Sequence, residues 1–327
     1  MVVIATPSLA DANNGNWRTA HRWQQLLEPE CRVIVAPVIG ESTDSAVPTE
    51  LPDLFIALHA RRSHASVVQM RRRHTTLPIV LALTGTDLYA DLKHDADANQ
   101  SLVLADALIV LQEDAIQYVP ADLRRKTHIV FQSARSLVAA AKPSGRINCV
   151  VVGHLRAEKS PQTVFDAVAL LNDNDRIHIT HIGAPHSAAD EALARQAQSL
   201  SEANAHYRWV GGLAHGLTRA AIKRSHLLLH PSLLEGGANV IVEAITAGTP
   251  VLASKMSGNI GMLGVDYAGY FPVGDGAAML ALLRRCLTDA NFLTRLNTAC
   301  KARAVLFSPK EEKRRLLHIV WSLLEAK

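Results

Sequence analysis

The chain has 327 residues, 48% of them hydrophobic, a net charge of +4 and a pI near 8.9. That length suits two domains with cores of their own. Aromatic residues at 5% argue against a protein that stacks nucleic-acid bases, and so mild a positive charge argues against one that coats DNA. Cys31, Cys149, Cys286 and Cys300 form no C-x-x-C pair, which speaks against zinc or thioredoxin-like chemistry and for reduced packing thiols.

The first half alternates short apolar runs with helical stretches. Strands are predicted at Val2–Ala5, Val33–Val38, Leu54–Leu58, Ile79–Leu83, Ala107–Leu111 and His128–Phe131. Most lack period-2 alternation, as expected of strands covered on both faces in a parallel sheet. "NWRTAHRWQQLL" sets Trp17, Ala20, Trp23 or Gln24, and Leu27 on one helical face. The opening run "VVIATP" is a strand rather than a signal peptide, and no apolar run approaches the roughly 18 residues of a membrane span, so the expected placement is the cytoplasm.

The stretch 133–146, with Pro143, Ser144 and Gly145, breaks the pattern and reads as a linker, centred on 137–146. The alternation then restarts: Cys149–Gly153, His178–Gly183, Tyr207–Gly211, Leu227–His230 and Pro250–Ala253. Ser160 is expected to cap a helix that opens on Pro161 and packs through Val164, Val168 and Leu171. The last stretch forms an amphipathic helix with a stripe of Leu316, Leu317, Val320, Leu323 and Leu324. The expected fold is therefore α/β, two consecutive Rossmann-like domains, 1–136 and 147–306, with residues 307–327 after them. Ligands of such sheets gather at the C-terminal strand ends, here a cleft between the domains.

Two regions carry chemistry. In "HPSLLEGGANVIVEAITAGTPVLAS", residues 230–254, a strand leads through Glu235 and Gly236-Gly237 into a helix holding Glu243, which Gly248 ends. The glycines admit close approach to the backbone, and the amides from Gly237 through Ala238 to Asn239 favour an anion. Glu235 and Glu243 lie at most about 12 Å apart along a helix axis, a spacing that suits two hydroxyl-bearing groups bridged by phosphates. The second region is "LHARRSH", where the run Leu54–Leu58 ends in His59, Arg61, Arg62 and His64. From Leu54 to Thr86 there are five arginines and no acidic residue, as a socket for a small polyanion requires. Arg71, Arg72 and Arg73, at the end of the next helix, read instead as surface cations. Asp95-Ala-Asp97 and Asp173-Asn-Asp175 are formal D-x-D motifs, but neither closes an apolar strand, so no metal is expected. Only Gly15 follows the first strand, too little for a nicotinamide fingerprint.

The motif of residues 230–254 resembles the donor signature of GT-B glycosyltransferases of the large retaining, E-x7-E type. "VVGHLRAEKSPQTVFDAVALL" is similar to the strand, turn and helix whose basic side chains hold the diphosphate in that family. Lys159 matches the family lysine; His154 occupies the arginine position, and Arg156 is the expected substitute. "YRWVGGL" resembles the turn that meets the nucleotide base, which implicates Gly211, and Gly15 matches the first-strand glycine loop. In that family the last helix commonly crosses back to the first domain, so residues 307–327 are expected to do so. The resemblance implies that Glu243, Lys159 and the Gly236–Asn239 amides hold a UDP group, with Glu235 on the sugar.

The first half, which handles the acceptor in that family, is more specific. "NNGNWRTAHRW", "LHARRSH" and "LALTGTDLY" all follow predicted strands. The run "DLFIALHARRSH…LPIVLALTGTDLY…SLVLADALIVLQEDA…QSA" resembles the selenosugar synthases of selenoneine biosynthesis, and that similarity extends nearly end to end. It implies transfer of a sugar from a UDP-sugar such as UDP-N-acetylglucosamine to selenophosphate, giving a 1-selenosugar, UDP and phosphate. It also implies a functional link to enzymes that supply selenophosphate and use the selenosugar. Asn16, Arg18, His59, Arg61, Arg62, Thr84 and Thr86 are then the expected acceptor residues. Ordinary relatives often carry a histidine in the loop where this chain has Thr84, and an acceptor that is already anionic tolerates its loss. The alternatives are a GT-B transferase with a hydroxyl or lipid-phosphate acceptor, and a UDP-sugar-binding protein without catalysis.

Overall fold

The computed structural model describes residues 1–7, 15–38, 50–185 and 187–326. The first half runs β1 (Val2–Thr6), α1 (Gly15–Leu27), β2 (Val33–Pro37), β3 (Leu54–Leu58), α2 (His64–Arg73), β4 (Ile79–Leu83), α3 (Thr86–Tyr89), α4 (Ala96–Leu104), β5 (Ala107–Val110) and β6 (Thr127–Ile129). The second runs β7 (Ile147–Val152), α5 (Pro161–Ala169), β8 (Ile177–Ile182), α6 (Glu191–Ala203), β9 (Tyr207–Trp209), α7 (His215–Arg224), β10 (Leu227–His230), α8 (Asn239–Thr246) and β11 (Val251–Ser254). There follow α9 (Ser257–Leu263), β12 (Tyr270–Phe271), α10 (Gly276–Thr288), α11 (Ala290–Arg303) and α12 (Pro309–Glu325).

The described strands form two six-stranded sheets in which every pairing is parallel. One has the order β2-β1-β3-β4-β5-β6 and the other β12-β11-β10-β7-β8-β9. The chain divides into two compact units, Met1–Gln132 with Pro309–Lys327, and Ser133–Ser308. Residues 137–146, read from the sequence as a linker, pack within the second unit. Leu137 donates its N–H to Thr246 O at 2.9 Å and Lys142 Nζ donates to Gly248 O at 3.3 Å. The two-residue strand β12 is too short to show in a hydropathy pattern.

In the first unit β1, β3 and β4 are buried along their whole length, which explains their unbroken apolar runs. Ala20, Trp23 and Leu27 of α1 pack with Leu316, Ile319 and Val320 of α12 over one face of that sheet. Glu312 is fully buried there; Trp23 Nε1–H donates to it at 2.8 Å and Arg22 Nε–H at 2.9 Å. Removing that carboxylate would take the partner from the buried Trp23 indole N–H and from the part-buried Arg22 guanidinium, at a cost of about 1–3 kcal/mol. Helix α12 thus completes the first unit although it is last in the chain.

Two local readings are corrected. Ser160 adopts a left-handed conformation with φ 47°, and its Oγ lies 2.8 Å from Thr163 Oγ1 instead of capping a backbone amide. Arg71 is no loose surface cation: it donates to Leu104 O at 2.8 Å and pairs with Asp106 at 2.6 Å, tying α2 to the end of α4, while Arg72 and Arg73 are exposed.

Candidate functional site

In the second unit the chain builds outward from β7 through β8 to β9, then returns to the other side of β7 with β10, β11 and β12. The order therefore reverses between β7 and β10, and the crevice beyond their C-terminal ends is where a doubly wound sheet accepts a ligand. The loops after these two strands are joined there: Leu233 N–H donates to Glu158 O at 2.8 Å. Two glycines permit the packing. A Cβ on Gly183 would stand 1.7 Å from Gly153 O, and one on Gly258 would stand 2.0 Å from Glu235 O.

Lys159 and Glu235, one from each loop, form an ion pair with side chains 23% and 11% exposed. His230, at the end of β10 and 2% exposed, places Nε2 3.4 Å from Glu235 Oε1. Burial would raise the Glu235 carboxyl, but the Lys159 ammonium and His230 outweigh it and hold Glu235 well below the usual carboxylate range. Gly236 and Gly237 follow Glu235 directly, and Ala238 stands at the N-terminus of α8, with Asn239 as its first helical residue. Helix α8 thus starts four residues after Glu235, the partner of Lys159, and the amides of a helix start favour an anion.

Glu243 projects from α8, and its Oε1 lies 2.8 Å from His215 Nε2 at the start of α7. Arg219 of α7 donates to the Glu243 backbone carbonyl at 2.9 Å and to Arg135 O at 2.5 Å. Arg156 has Nε 3.8 Å from Glu158, and His154 is exposed with Nδ1 3.3 Å from Ala184 O. Gly211 follows β9 with φ 68°, and its carbonyl accepts the N–H of Gly183 at 2.8 Å.

The first unit repeats the reversal between β1 and β3. His59, just beyond β3, is buried and strained, with φ 74°. Its Nε2 lies 3.1 Å from Thr86 Oγ1 and 3.9 Å from Asp91 Oδ2, and its Nδ1 lies 4.0 Å from Asp87 Oδ2. Asp87 has no exposed surface and accepts four backbone N–H groups, from Thr84 at 2.9 Å, Gly85 at 2.8 Å, Leu88 at 3.0 Å and Ala60 at 2.9 Å. Arg61 Nε lies 3.0 Å from Asp91 Oδ2, and Arg62 donates to Pro7 O at 3.3 Å.

This overturns the reading of a cationic cluster without counter-charge: Asp87 and Asp91 lie just past the acid-free window and fold back against it. The structure brings His59, Arg61, Arg62, Thr84 and Thr86 together. It sends His64 elsewhere, with Nδ1 3.0 Å from Ser101 Oγ on α4. Gly15, Asn16 and Arg18 form the first turn of α1, the latter two half-buried. Asn13 and Asn14 of the same motif lie outside the described residues.

Sequence reasoning missed His215, His230, Asp87 and Asp91. His230 opens the quoted donor motif, so its place beside Glu235 was the one available signal. The D-x-D motifs have other work: Asp95 accepts Ala98 N–H at the start of α4, and Asp175 pairs with Arg284 at 2.7 Å. Among the described residues no cluster of three metal-ligating side chains occurs, and no helix is long and apolar enough to cross a membrane.

Comparison with known proteins bears on this geometry. The family described as Glycosyl transferases group 1 matches residues 135–303, more than half of the chain. Glycogen synthase of Mycobacterium tuberculosis is 31% identical over 182 residues, 52% of this chain and 41% of that protein. The chain thus spans about two fifths of that curated relative's length. Sucrose-phosphate synthase from Thermosynechococcus elongatus superposes with a TM-score of 0.79 at 16% identity, over 100% of this chain and 99% of that one. HepE from Anabaena, solved in complex with UDP, gives 0.76 at 14% identity, over 98% and 99%. At such identities the solved structures speak for the fold alone, and the family match supplies the rest: the chain belongs to the glycosyl transferases group 1 family and has the GT-B fold.

Proposed function

We propose that the chain transfers a sugar from a UDP-sugar, UDP-N-acetylglucosamine first, to selenophosphate, without a metal ion. The observation that carries the donor half is the Lys159–Glu235 pair at the β7/β10 reversal, beside the start of α8. Lysine and helix amides suit the diphosphate, Glu235 the sugar hydroxyls and Glu243 the ribose. HepE, of the same fold, has been solved with UDP and with UDP-glucose. In the reaction the bond from the anomeric carbon to the diphosphate oxygen breaks and a C–Se bond forms. UDP departs with its charge neutralised by Lys159 and the helix start, an electrostatic role. Water then cleaves the Se–P bond to release phosphate and the 1-selenosugar.

The acceptor assignment rests on the resemblance of the first half to selenosugar synthases and on Arg61, Arg62 and His59 gathered at the end of β3. Arg61 meets Asp91 through Nε at 3.0 Å, and the planar fork of a guanidinium matches a tetrahedral oxyanion. A second reading, a hydroxyl acceptor, draws on His59 beside Asp87 and Asp91, because a neutral hydroxyl needs a base and an anion does not.

UDP release from UDP-N-acetylglucosamine, measured with and without selenophosphate in EDTA, tests both. Release that requires selenophosphate and survives EDTA is the expected result. Release without selenophosphate dependence, but with dependence on a sugar or lipid-linked acceptor, replaces the first reading with the second. Binding without turnover on any acceptor defeats both.

A further inference from the structure

Lys159 faces two anions in turn. In the structure it neutralises Glu235, a carboxylate almost out of water. On the donor reading proposed above, on which this inference rests, it must also meet the diphosphate. Whatever charge it gives to the phosphates it withdraws from Glu235. A carboxylate in that position either takes a proton, and loses acceptor strength toward sugar hydroxyls, or finds another cation.

One group stands ready. His230 closes β10 directly beneath the Glu235 loop, 2% exposed, with Nε2 3.4 Å from the same Oε1 that Lys159 engages. We infer that His230 is a positioning residue for Glu235: it takes up a proton when the nucleotide sugar draws Lys159 away, and keeps Glu235 ionised and aimed at the sugar. One proton passes from solvent to the imidazole on binding and returns to solvent when UDP leaves and Lys159 falls back.

The other titratable groups around the site have different engagements. From the loop after β7, Arg156 faces Glu158, and His154 is exposed beside Ala184 O. From β8, His181 lies 2.9 Å from the Tyr207 hydroxyl, and burial lowers its pKa to about 3. Lys255, after β11, is exposed. The competitor is His215, 2.8 Å from Glu243, which could take up a proton of its own on binding.

The test is calorimetric titration of the full chain with UDP-N-acetylglucosamine, without selenophosphate, near pH 8 in buffers of different ionisation enthalpy. The sugar nucleotide is chosen because free UDP has a terminal phosphate that itself titrates near about pH 6. The expected result is uptake approaching one proton per site and an affinity that weakens toward tenfold per unit as pH rises. His230→Gln should abolish the uptake, and His215→Gln should preserve it. The imidazole resonances of His230, followed by NMR, should move to the protonated position as the donor is added, a readout that needs no variant. Binding without uptake, or uptake lost in His215→Gln and kept in His230→Gln, overturns the inference and leaves the donor reading standing. Failure of UDP-N-acetylglucosamine to bind removes the donor reading itself.

Discussion

Each unit holds a carboxylate against the loop that follows a strand of its reversal, β3 in the first and β10 in the second, and the two are neutralised in different ways. Asp87 accepts four backbone amides, drawn from Ala60 after β3 and from the turn between β4 and α3. Those donors cannot leave without undoing the turns, so Asp87 is a pin that fixes loop shape. Glu235 is balanced by an ammonium on a flexible stem and by one imidazole. Those partners are side chains, which can move without undoing a turn. The same chemical group is held by backbone amides in one unit and by side chains in the other.

Five substitutions break or sharpen that contrast. Lys159→Ala removes a side-chain partner of Glu235 and should lower kcat/KM by about 100- to 1000-fold, the loss typical of a group that stabilises a departing oxyanion; the measurement is steady-state UDP release. Asp87→Ala strips the pin from four amides and should destabilise the chain by about 3 kcal/mol in urea titration. An Asp87→Ala protein of normal stability and lost activity would move Asp87 into the chemistry. Glu243→Ala removes charged hydrogen bonds worth about 1.5–3 kcal/mol and should weaken UDP-sugar binding correspondingly, read by calorimetry. Arg61→Ala should raise the KM for selenophosphate about tenfold, a loss of about 1.4 kcal/mol, with the donor KM unchanged. Unchanged acceptor kinetics would assign Arg61 to its pairing with Asp91 alone.

The smallest effect concerns a carboxylate far from either reversal. The hydrogen bonds from Arg284 hold Asp175 down to about 2. A group depressed in the folded state stabilises above its unfolded value, about 3.9 for aspartate, and loses that contribution as pH falls toward the folded one. Asp175→Asn should therefore raise the midpoint of acid unfolding slightly, followed by circular dichroism.

The architecture was legible because it rests on local composition. Leu54–Leu58 and Ile79–Leu83 are strands at the bounds read from the sequence, since five consecutive apolar residues buried on both faces leave no other pattern. Glu235, Lys159 and Glu243 were legible from their motif as candidates, and the structure pairs Lys159 with Glu235. Less legible were features that depend on a second segment. The acid-free window ended one residue before Asp87, so the count of charges along the chain missed the carboxylates that fold against it. Arg71 looked like a helix-end cation until Asp106 and Leu104 O came within reach.

By itself the sequence determined two α/β units, the parallel sheets within them and the glycine motif that carries two glutamates. Burial and backbone propensity act over a few residues and are written along the chain. Which charge answers which was decided only by tertiary structure: Lys159 with Glu235, His230 beneath them, His215 on Glu243, and Asp87 and Asp91 against the end of β3. Coulomb energy depends on distance through space and on the loss of water around the pair, and neither quantity is present in a linear order of residues.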